Sequence, residues 1–244
     1  MIRTLRRASR LADVSPVLVD MMQPLEGGDT DRLEARRAEL SLSDEEVANA
    51  SEALGIVDRA AVGTKVASDS SSTAKAGLLA RLVERVQPER VVEFGSAFGI
   101  SGGYLVSALQ RAGGGVFSTV EATAARSSIA GETIGLVHAP DVVVDRVVGL
   151  FDEQLDLLND AGFVFIDGNH YAEPTHRYVE AALSRGSVEL VVVLDDIAGY
   201  SQEMDAAWAK LRRDRRFDAQ GQVADVGVLL RGRPAALLRA EGSG

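Results

Sequence analysis

The stretch from residue 90 to residue 121 does most to limit what this chain can fold into. Val91, Val92 and Phe94 form a short β-prone run that stops at a glycine. Gly95 and Gly99 bracket a tight loop, after which Tyr104, Leu105, Ala108 and Leu109 recur at helical spacing. Gly113, Gly114 and Gly115 lead into a second β-prone run, residues 116–120, which finishes on the carboxylate of Glu121. Strand, glycine turn, helix, strand and acid make a βαβ unit. Such a unit suits an adenosine-bearing ligand: glycines let the ligand approach the backbone, and the acid accepts hydrogen bonds from ribose hydroxyls. The dinucleotide fingerprint G-x-G-x-x-G is absent, because Ala97 stands where its middle glycine would be.

The downstream segments extend the same pattern. A helix rich in small residues follows Glu121, then a third strand, residues 142–148, ends at Gly149, Leu150 and Phe151. In a doubly wound sheet that strand end faces the ligand crevice, so Gly149 and Leu150 could border an adenine. Leu155, Leu157 and Leu158 read as a covering helix. Residues 163–166 and 190–194 are continuous apolar runs, as expected where helices cover both faces of a parallel sheet. A helix at about 174–184 supplies the crossover between them.

Candidate chemistry sits at the ends of these two strands. The first runs into Asp167-Gly168-Asn169-His170-Tyr171, the second into Asp195-Asp196. If the strands are neighbours, about 4.8 Å apart, three carboxylates meet at their C-terminal ends. Like charges in one crevice are costly unless a cation neutralises them. Oxygen ligands without cysteine suggest a hard ion, Mg²⁺ or else Ca²⁺ or Mn²⁺. The alternative is a pair of acidic turns capping the helices that follow. His170 shares the loop with Asp167 and could take a proton from a hydroxyl held at the metal, or be a surface or capping histidine. His138 and His176 have no constellation around them and read as structural.

The flanks carry less. Residues 1 to about 60 read as helical and polar, with a basic start and, at Ser43 and Glu46, a capping-box signal for a helix. Residues 63–73 read as a polar loop in which Lys65, Ser72 and Thr73 are weak ligand candidates, followed by an apolar helix at 76–86 that Pro88 ends. Tyr200 is a candidate pocket wall, whereas Met204, Trp208 and Leu211 form a stripe better suited to helix packing. Arg212, Arg213, Arg215 and Arg216 suit a helix C-terminus, residues 217–230 a final hairpin, and residues 241–244 a frayed tail.

Composition narrows the function classes. With 244 residues the chain can bury a full core, and a net charge of -10 argues against a nucleic-acid backbone as its main partner. Zero cysteines exclude disulfides, thiolate metal sites and cysteine nucleophiles, and an unstapled chain is at home in the cytosol. No apolar run approaches the ~20 residues of a membrane helix.

Taken together, Glu93-Phe94-Gly95-Ser96-Ala97-Phe98-Gly99, Glu121, the Asp167 to Tyr171 run and Leu194-Asp195-Asp196 resemble the class I S-adenosylmethionine-dependent O-methyltransferases that use a metal. The macrolide-sugar branch is most similar, with catechol and caffeoyl-CoA enzymes related. The resemblance spans about residues 65–231 and implies an α/β, Rossmann-like, doubly wound seven-stranded sheet, mostly parallel with an antiparallel last strand. It implies a methyltransferase domain at 63–244 preceded by an N-terminal helical extension, residues 1–62, acting as lid or dimer contact. It implies S-adenosylmethionine held by Glu93, Gly95, Ser96, Ala97, Gly99, Ser101, Glu121, Gly149, Leu150 and Asp167. Mg²⁺ would be bound by Asp167, Asp195 and Asp196, and His170 would be the base. The expected acceptor is a small hydroxylated molecule such as a sugar, phenol or secondary metabolite, and the expected assembly a cytoplasmic homodimer. Asp196 departs from the asparagine usual in catechol-type enzymes, and Tyr171 stands one residue earlier than the family's tyrosine.

Three other readings compete. Gly99-Ile100-Ser101-Gly102-Gly103 satisfies G-x-S-x-G, but Ser101 lies about six residues past the strand instead of at its end. A nicotinamide enzyme lacks its fingerprint here. A metal-independent N- or carboxylate methyltransferase is the main alternative.

Overall fold

The computed structural model describes residues 14–48, 59–137 and 140–239. The basic start, His138 and the tail at 241–244 lie outside the described residues. Two helices, α1 (Pro16–Met21) and α2 (Asp29–Ser41), precede a short hairpin of β1 (Glu46–Ala48) and β2 (Arg59–Ala61). Helices α3 (Val62–Asp69) and α4 (Thr73–Val86) lead into β3 (Arg90–Phe94), α5 (Ile100–Arg111), β4 (Gly115–Glu121), α6 (Ala124–Gly135) and β5 (Val142–Val148). Then come β6 (Phe163–Ile166), α7 (Ala172–Arg185), β7 (Leu190–Leu194), α8 (Gln202–Leu211), β8 (Ala219–Val223), β9 (Val226–Arg231) and α9 (Ala236–Arg239).

Strands β3 to β9 form one seven-stranded sheet in the order β5-β4-β3-β6-β7-β9-β8, with β9 antiparallel to both neighbours and the other pairings parallel. The central strands bury both faces. Val91, Phe163, Phe165, Val191 and Val193 join one core, and Val92, Val164, Ile166, Val192 and Leu194 the other. That explains why these strands lack polar alternation. Strand β3 pairs with β4 on one side and β6 on the other. The strand order therefore reverses beside β3, and the crevice at its C-terminal end is where such a sheet takes a ligand.

Three local expectations are revised. The capping-box signal at Ser43 starts no helix: Ser43 Oγ accepts from the Glu45 N–H at 3.3 Å, and residues 46–48 enter the β1–β2 hairpin. Val47 is buried there with Leu40, Val62, Val66 and Phe98, so apolar burial overrides the local signal. The polar stretch after residue 62 is largely helix α3, anchored by Val62 and Val66 one turn apart. Residues 155–158 form only a 3₁₀ turn. Elsewhere helix α4 begins one turn early because Ser72 caps it, accepting from the Lys75 N–H at 3.2 Å.

Helix α2 packs on α5: Tyr104 donates to Glu34 at 2.8 Å and Ser107 to Asp29 at 2.6 Å. Met204, Trp208 and Leu211 are buried, as the stripe implied, with the Trp208 indole N–H donating to Gln222 at 2.8 Å. Arg216 pairs with Glu180 and with Asp214, keeping the arginine run on an ion-paired surface.

Candidate active site

A cavity of about 820 Å³ opens over the C-terminal ends of β3, β4, β6 and β7. Its size suits a drug-sized or cofactor-sized ligand with room beside it. One end is built by the glycine loop and β4. Gly95 has φ +111°, and a Cβ there would stand 1.9 Å from the Asp167 carbonyl oxygen, so only glycine lets β3 and β6 end this close together. Ala97 is also held at positive φ, 42°, and donates its N–H to Glu121 Oε2 at 3.1 Å. The Thr123 N–H donates to Glu121 Oε1 at 3.1 Å. Burial pushes the Glu121 carboxyl up, against the opposing pull of the Arg126 charge and these amides. The result is a fixed acceptor at the cavity edge.

Behind this loop lies a second acid. Glu93 is fully buried, and Ser101 Oγ and Thr119 Oγ1 each donate to it at 2.6 Å. Burial raises its pKa to about 7, partly offset by the two hydroxyls and aided by the charge of Glu121. Glu93, Ser96, Gly99 and Ser101 therefore brace the loop from beneath, while Gly95, Ala97 and Glu121 line the cavity. Ser101 faces Glu93 in the first turn of α5, which removes it from the role of an elbow nucleophile.

The Glu93 carboxyl binds its proton more tightly folded than unfolded, so its contribution to stability is complete below pH ~4.5 and is lost as pH rises through about 7. Glu93→Gln should hence gain about 2 to 3 kcal/mol on wild type between pH 5 and pH 8, read from urea unfolding at both values. An unchanged difference between the two proteins would show that Glu93 is ionised throughout.

The third strand end supplies Gly149, Leu150, Phe151 and Asp152 to the cavity wall. Phe151 stacks on Phe94 at 5.0 Å, and Tyr178 sets its edge against both rings. Tyr178 donates to Asp152 at 3.1 Å and accepts from the Asn169 side chain at 3.1 Å, tying this segment to the β6 loop. Across the opening, Ser68, Asp69, Ser70 and Ser71 form a rim, held by a 2.8 Å ion pair between Asp69 and Arg126.

The other end gathers the acids. Asp195, only 7% exposed, Asp196 and Asp225 offer oxygens that all lie within 4.8 Å of one another. Asp167 lies beside them and shares a hydrogen bond with Asp195; burial first, then the Asp195 charge, drives its pKa well above the usual carboxylate range. Asp196 is pushed up too, by burial and by Asp195. Of the acids expected together, Asp195 and Asp196 thus group with Asp225, and Asp167 joins through Asp195. His170 Nδ1 stands 3.6 Å from Asp196 Oδ2, and its ring lies 5.0 Å from that of Tyr200. Asn169 and Asp196 both hold positive φ, near 52° and 54°, a mild strain often stored where side chains are aimed at a ligand.

Two members were not read from the sequence. Lys75 places its ammonium 2.5 Å from Asp195 and 3.4 Å from Asp225. Burial lowers its pKa, but the Asp195 and Asp225 charges outweigh that and raise it. Asp225 lies in the β8–β9 turn, far along the chain from the strand ends, and a lone acid in a hairpin carries no signal of its own. Lys75 carried a faint one, as one of only three lysines among 26 basic residues. Of the earlier ligand candidates, Ser72 caps α4 and Lys65 lies 3.8 Å from Asp69; neither lines the cavity, nor does Thr73. His176 also lies outside it.

Residues 92–197 match a family described as "Methyltransferase domain". The matched stretch runs from β3 through the end of β7. The chain's fold is shared with several solved methyltransferase structures. An O-methyltransferase from Bacillus cereus, solved with S-adenosylhomocysteine, is 18% identical with a TM-score of 0.57, over 87% of this chain and 94% of that one. TomG from Streptomyces achromogenes, an O-methyltransferase involved in tomaymycin synthesis and solved with S-adenosylmethionine, is 19% identical with a TM-score of 0.55, over 85% of this chain and 100% of that one. The Podospora anserina methyltransferase PaMTH1, solved with S-adenosylhomocysteine, is 17% identical with a TM-score of 0.56, over 86% of this chain and 97% of that one. A comparison with curated proteins gave no match. Among the described residues, no helix is long and apolar enough to cross a membrane.

Proposed function

We propose that the protein moves the methyl group of S-adenosylmethionine to a hydroxyl of a small molecule, a sugar, phenol or secondary metabolite, with the help of a divalent cation. One observation carries this reading: a single cavity has a braced carboxylate, Glu121, at its β4 end and a cluster of acids with a histidine at its β7 end. Glu121 would accept the ribose hydroxyls, Gly95 and Ala97 would lie against the cofactor, and Gly149 and Leu150 would border its adenine.

The donor set fits a hard ion. Asp195, Asp196 and Asp225 would hold Mg²⁺, with Asp167 beside them, since all four offer oxygen only and outnumber the single ammonium of Lys75. When bound, such an ion lowers the pKa of an acceptor hydroxyl and fixes its place. The chain's own part is orientation and proton transfer. Asp196 beside Nδ1 steadies the His170 ring, which would receive the hydroxyl proton, and Tyr200 walls that side. The sulfonium methyl is already activated, so lining up oxygen, carbon and sulfur supplies most of the remaining advantage. Residues 1–62 are proposed as an extension that covers the acceptor side or joins two copies in a homodimer, and the protein as cytoplasmic. The alternative, a metal-independent N- or carboxylate methyltransferase, draws support from Lys75, which already supplies one cation to the acids.

Thermal-shift titration with S-adenosylhomocysteine, with and without Mg²⁺, tests the cofactor and the metal together. Saturation at about 100 times Kd should add ~2.7 kcal/mol of stability, which raises Tm by several degrees. No shift would remove the cofactor assignment, and full turnover of a hydroxylated acceptor in excess EDTA would remove the metal.

A further inference from the structure

Lys75 is 12% exposed at its side chain and reaches Asp195 from 120 positions away in sequence and Asp225 from 150. Among the described residues, Lys75 is the one basic side chain within ion-pair distance of these two acids. The choice of lysine is chemically pointed in a chain that otherwise uses arginine almost throughout. A guanidinium spreads its charge over a planar fork, whereas an ammonium is a compact point charge on a flexible stem. It can stand between two carboxylates much as a small metal ion does, and it can withdraw along its own stem. A buried ammonium needs a partner, and buried carboxylates need a cation. Here each answers the other.

We infer that Lys75 is a positioning residue, the resident counter-cation of the Asp195–Asp225 pair, which competes with the divalent ion for Asp195 and gives up that oxygen when the ion binds. The inference rests on the metal reading proposed above. At 2.5 Å the ammonium takes an oxygen of Asp195, the most buried of the three grouped acids, so the ion's charge and that of Lys75 cannot both sit on it without strong repulsion. In the metal-free protein the lysine keeps the acids drawn together and the site preformed.

The test uses the full chain and Mn²⁺ alone, without methyl donor or acceptor. Calorimetry and the electron paramagnetic resonance of free Mn²⁺ should give Lys75→Met and Lys75→Gln affinities about tenfold or more above wild type, since each removes a competing cation. Binding by the variants but not by wild type supports the same conclusion. A second arm needs no variant: acetic anhydride labelling followed by peptide mass spectrometry, with Lys65 and Lys210 as internal references. Lys75 should label several-fold faster in saturating Mn²⁺ than in its absence, as its ammonium leaves Asp195. If Mn²⁺ binds wild type and both variants equally, or the variants more weakly, and Lys75 labelling is unchanged, the inference falls while the metal reading stands. If no protein binds Mn²⁺, both fall together.

Discussion

Replacing Asp195 by asparagine is expected to lower kcat on a hydroxylated acceptor by at least about a thousandfold, roughly 4 kcal/mol of barrier, while S-adenosylhomocysteine binds within about threefold of wild type. The asymmetry follows from where Asp195 stands. It touches Lys75 at 2.5 Å, accepts from the Asp196 N–H at 2.9 Å and shares a hydrogen bond with Asp167, so it links the lysine to two other acids of the cluster. The cofactor end depends on Glu121, Ala97 and Gly95, none of which it touches. Asparagine keeps the size and the acceptor for the Asp196 amide but not the charge, so the acceptor oxygen loses its cation while the loop geometry stays. Initial rates set against calorimetric titration separate the two ends. Wild-type turnover would remove the acid cluster from the reaction. Loss of cofactor affinity along with turnover would mean that the two ends are not independent.

A stability check belongs with that experiment. Lys75 would be left with Asp225 at 3.4 Å as its remaining partner. Leaving a buried charge half-paired costs up to about 3 kcal/mol. Asp225→Asn leaves the shorter contact intact and should cost less. The order of the two variants in unfolding therefore reports which acid holds the lysine, apart from any effect on rate.

How much of this was legible beforehand depends on the distance over which each feature is specified. The βαβ unit is local: glycines at 95 and 99 and an acid at 121 need only their neighbours to make sense, and strands β3 and β4 form where the apolar runs stand. The continuous runs of β6 and β7 announce a sheet covered on both faces, and both strands are fully buried. The N-terminal part was less readable because long-range burial decides it. Val47 leaves the helical pattern to join Phe98 and Val66, partners invisible at a window of a few residues. The same holds in the site. Asp167, Asp195 and Asp196 were visible as acids at strand ends. Lys75 comes from a helix and Asp225 from a hairpin turn, and only the sheet order β3-β6-β7-β9 brings those segments to one place. Glu93 was visible but its position was not. A carboxylate two residues before the turn glycine reads as a ligand contact, yet the strand's alternation points it inward, onto Ser101 and Thr119.

The second large effect belongs to Gly95→Ala. The added methyl would lie 1.9 Å from the Asp167 carbonyl oxygen and 2.9 Å from its carbonyl carbon. Both are backbone atoms, so no side chain can turn aside to make room. The Asp167 N–H is already bonded to the Phe94 carbonyl at 2.9 Å, and the Gly95 N–H to the Val120 carbonyl at 3.0 Å. Relief therefore means separating β3 from β6 at the crevice or withdrawing the loop from β4. A loss of at least about 3 kcal/mol is expected, seen as a fall in Tm of roughly 6 to 12 °C. Cofactor affinity should drop about a hundredfold or more, because Ala97 and its bond to Glu121 ride on the same loop. Gly113→Ala separates strain from collision. Gly113 has nearly the same φ, +110°, with nothing within 4 Å of the added carbon. It should lose only about 1 kcal/mol, the cost of the left-handed backbone alone, with cofactor affinity unchanged. Equal losses from the two substitutions would mean that backbone strain explains both, and that the close approach of β3 to Asp167 is not what makes glycine necessary at the crevice.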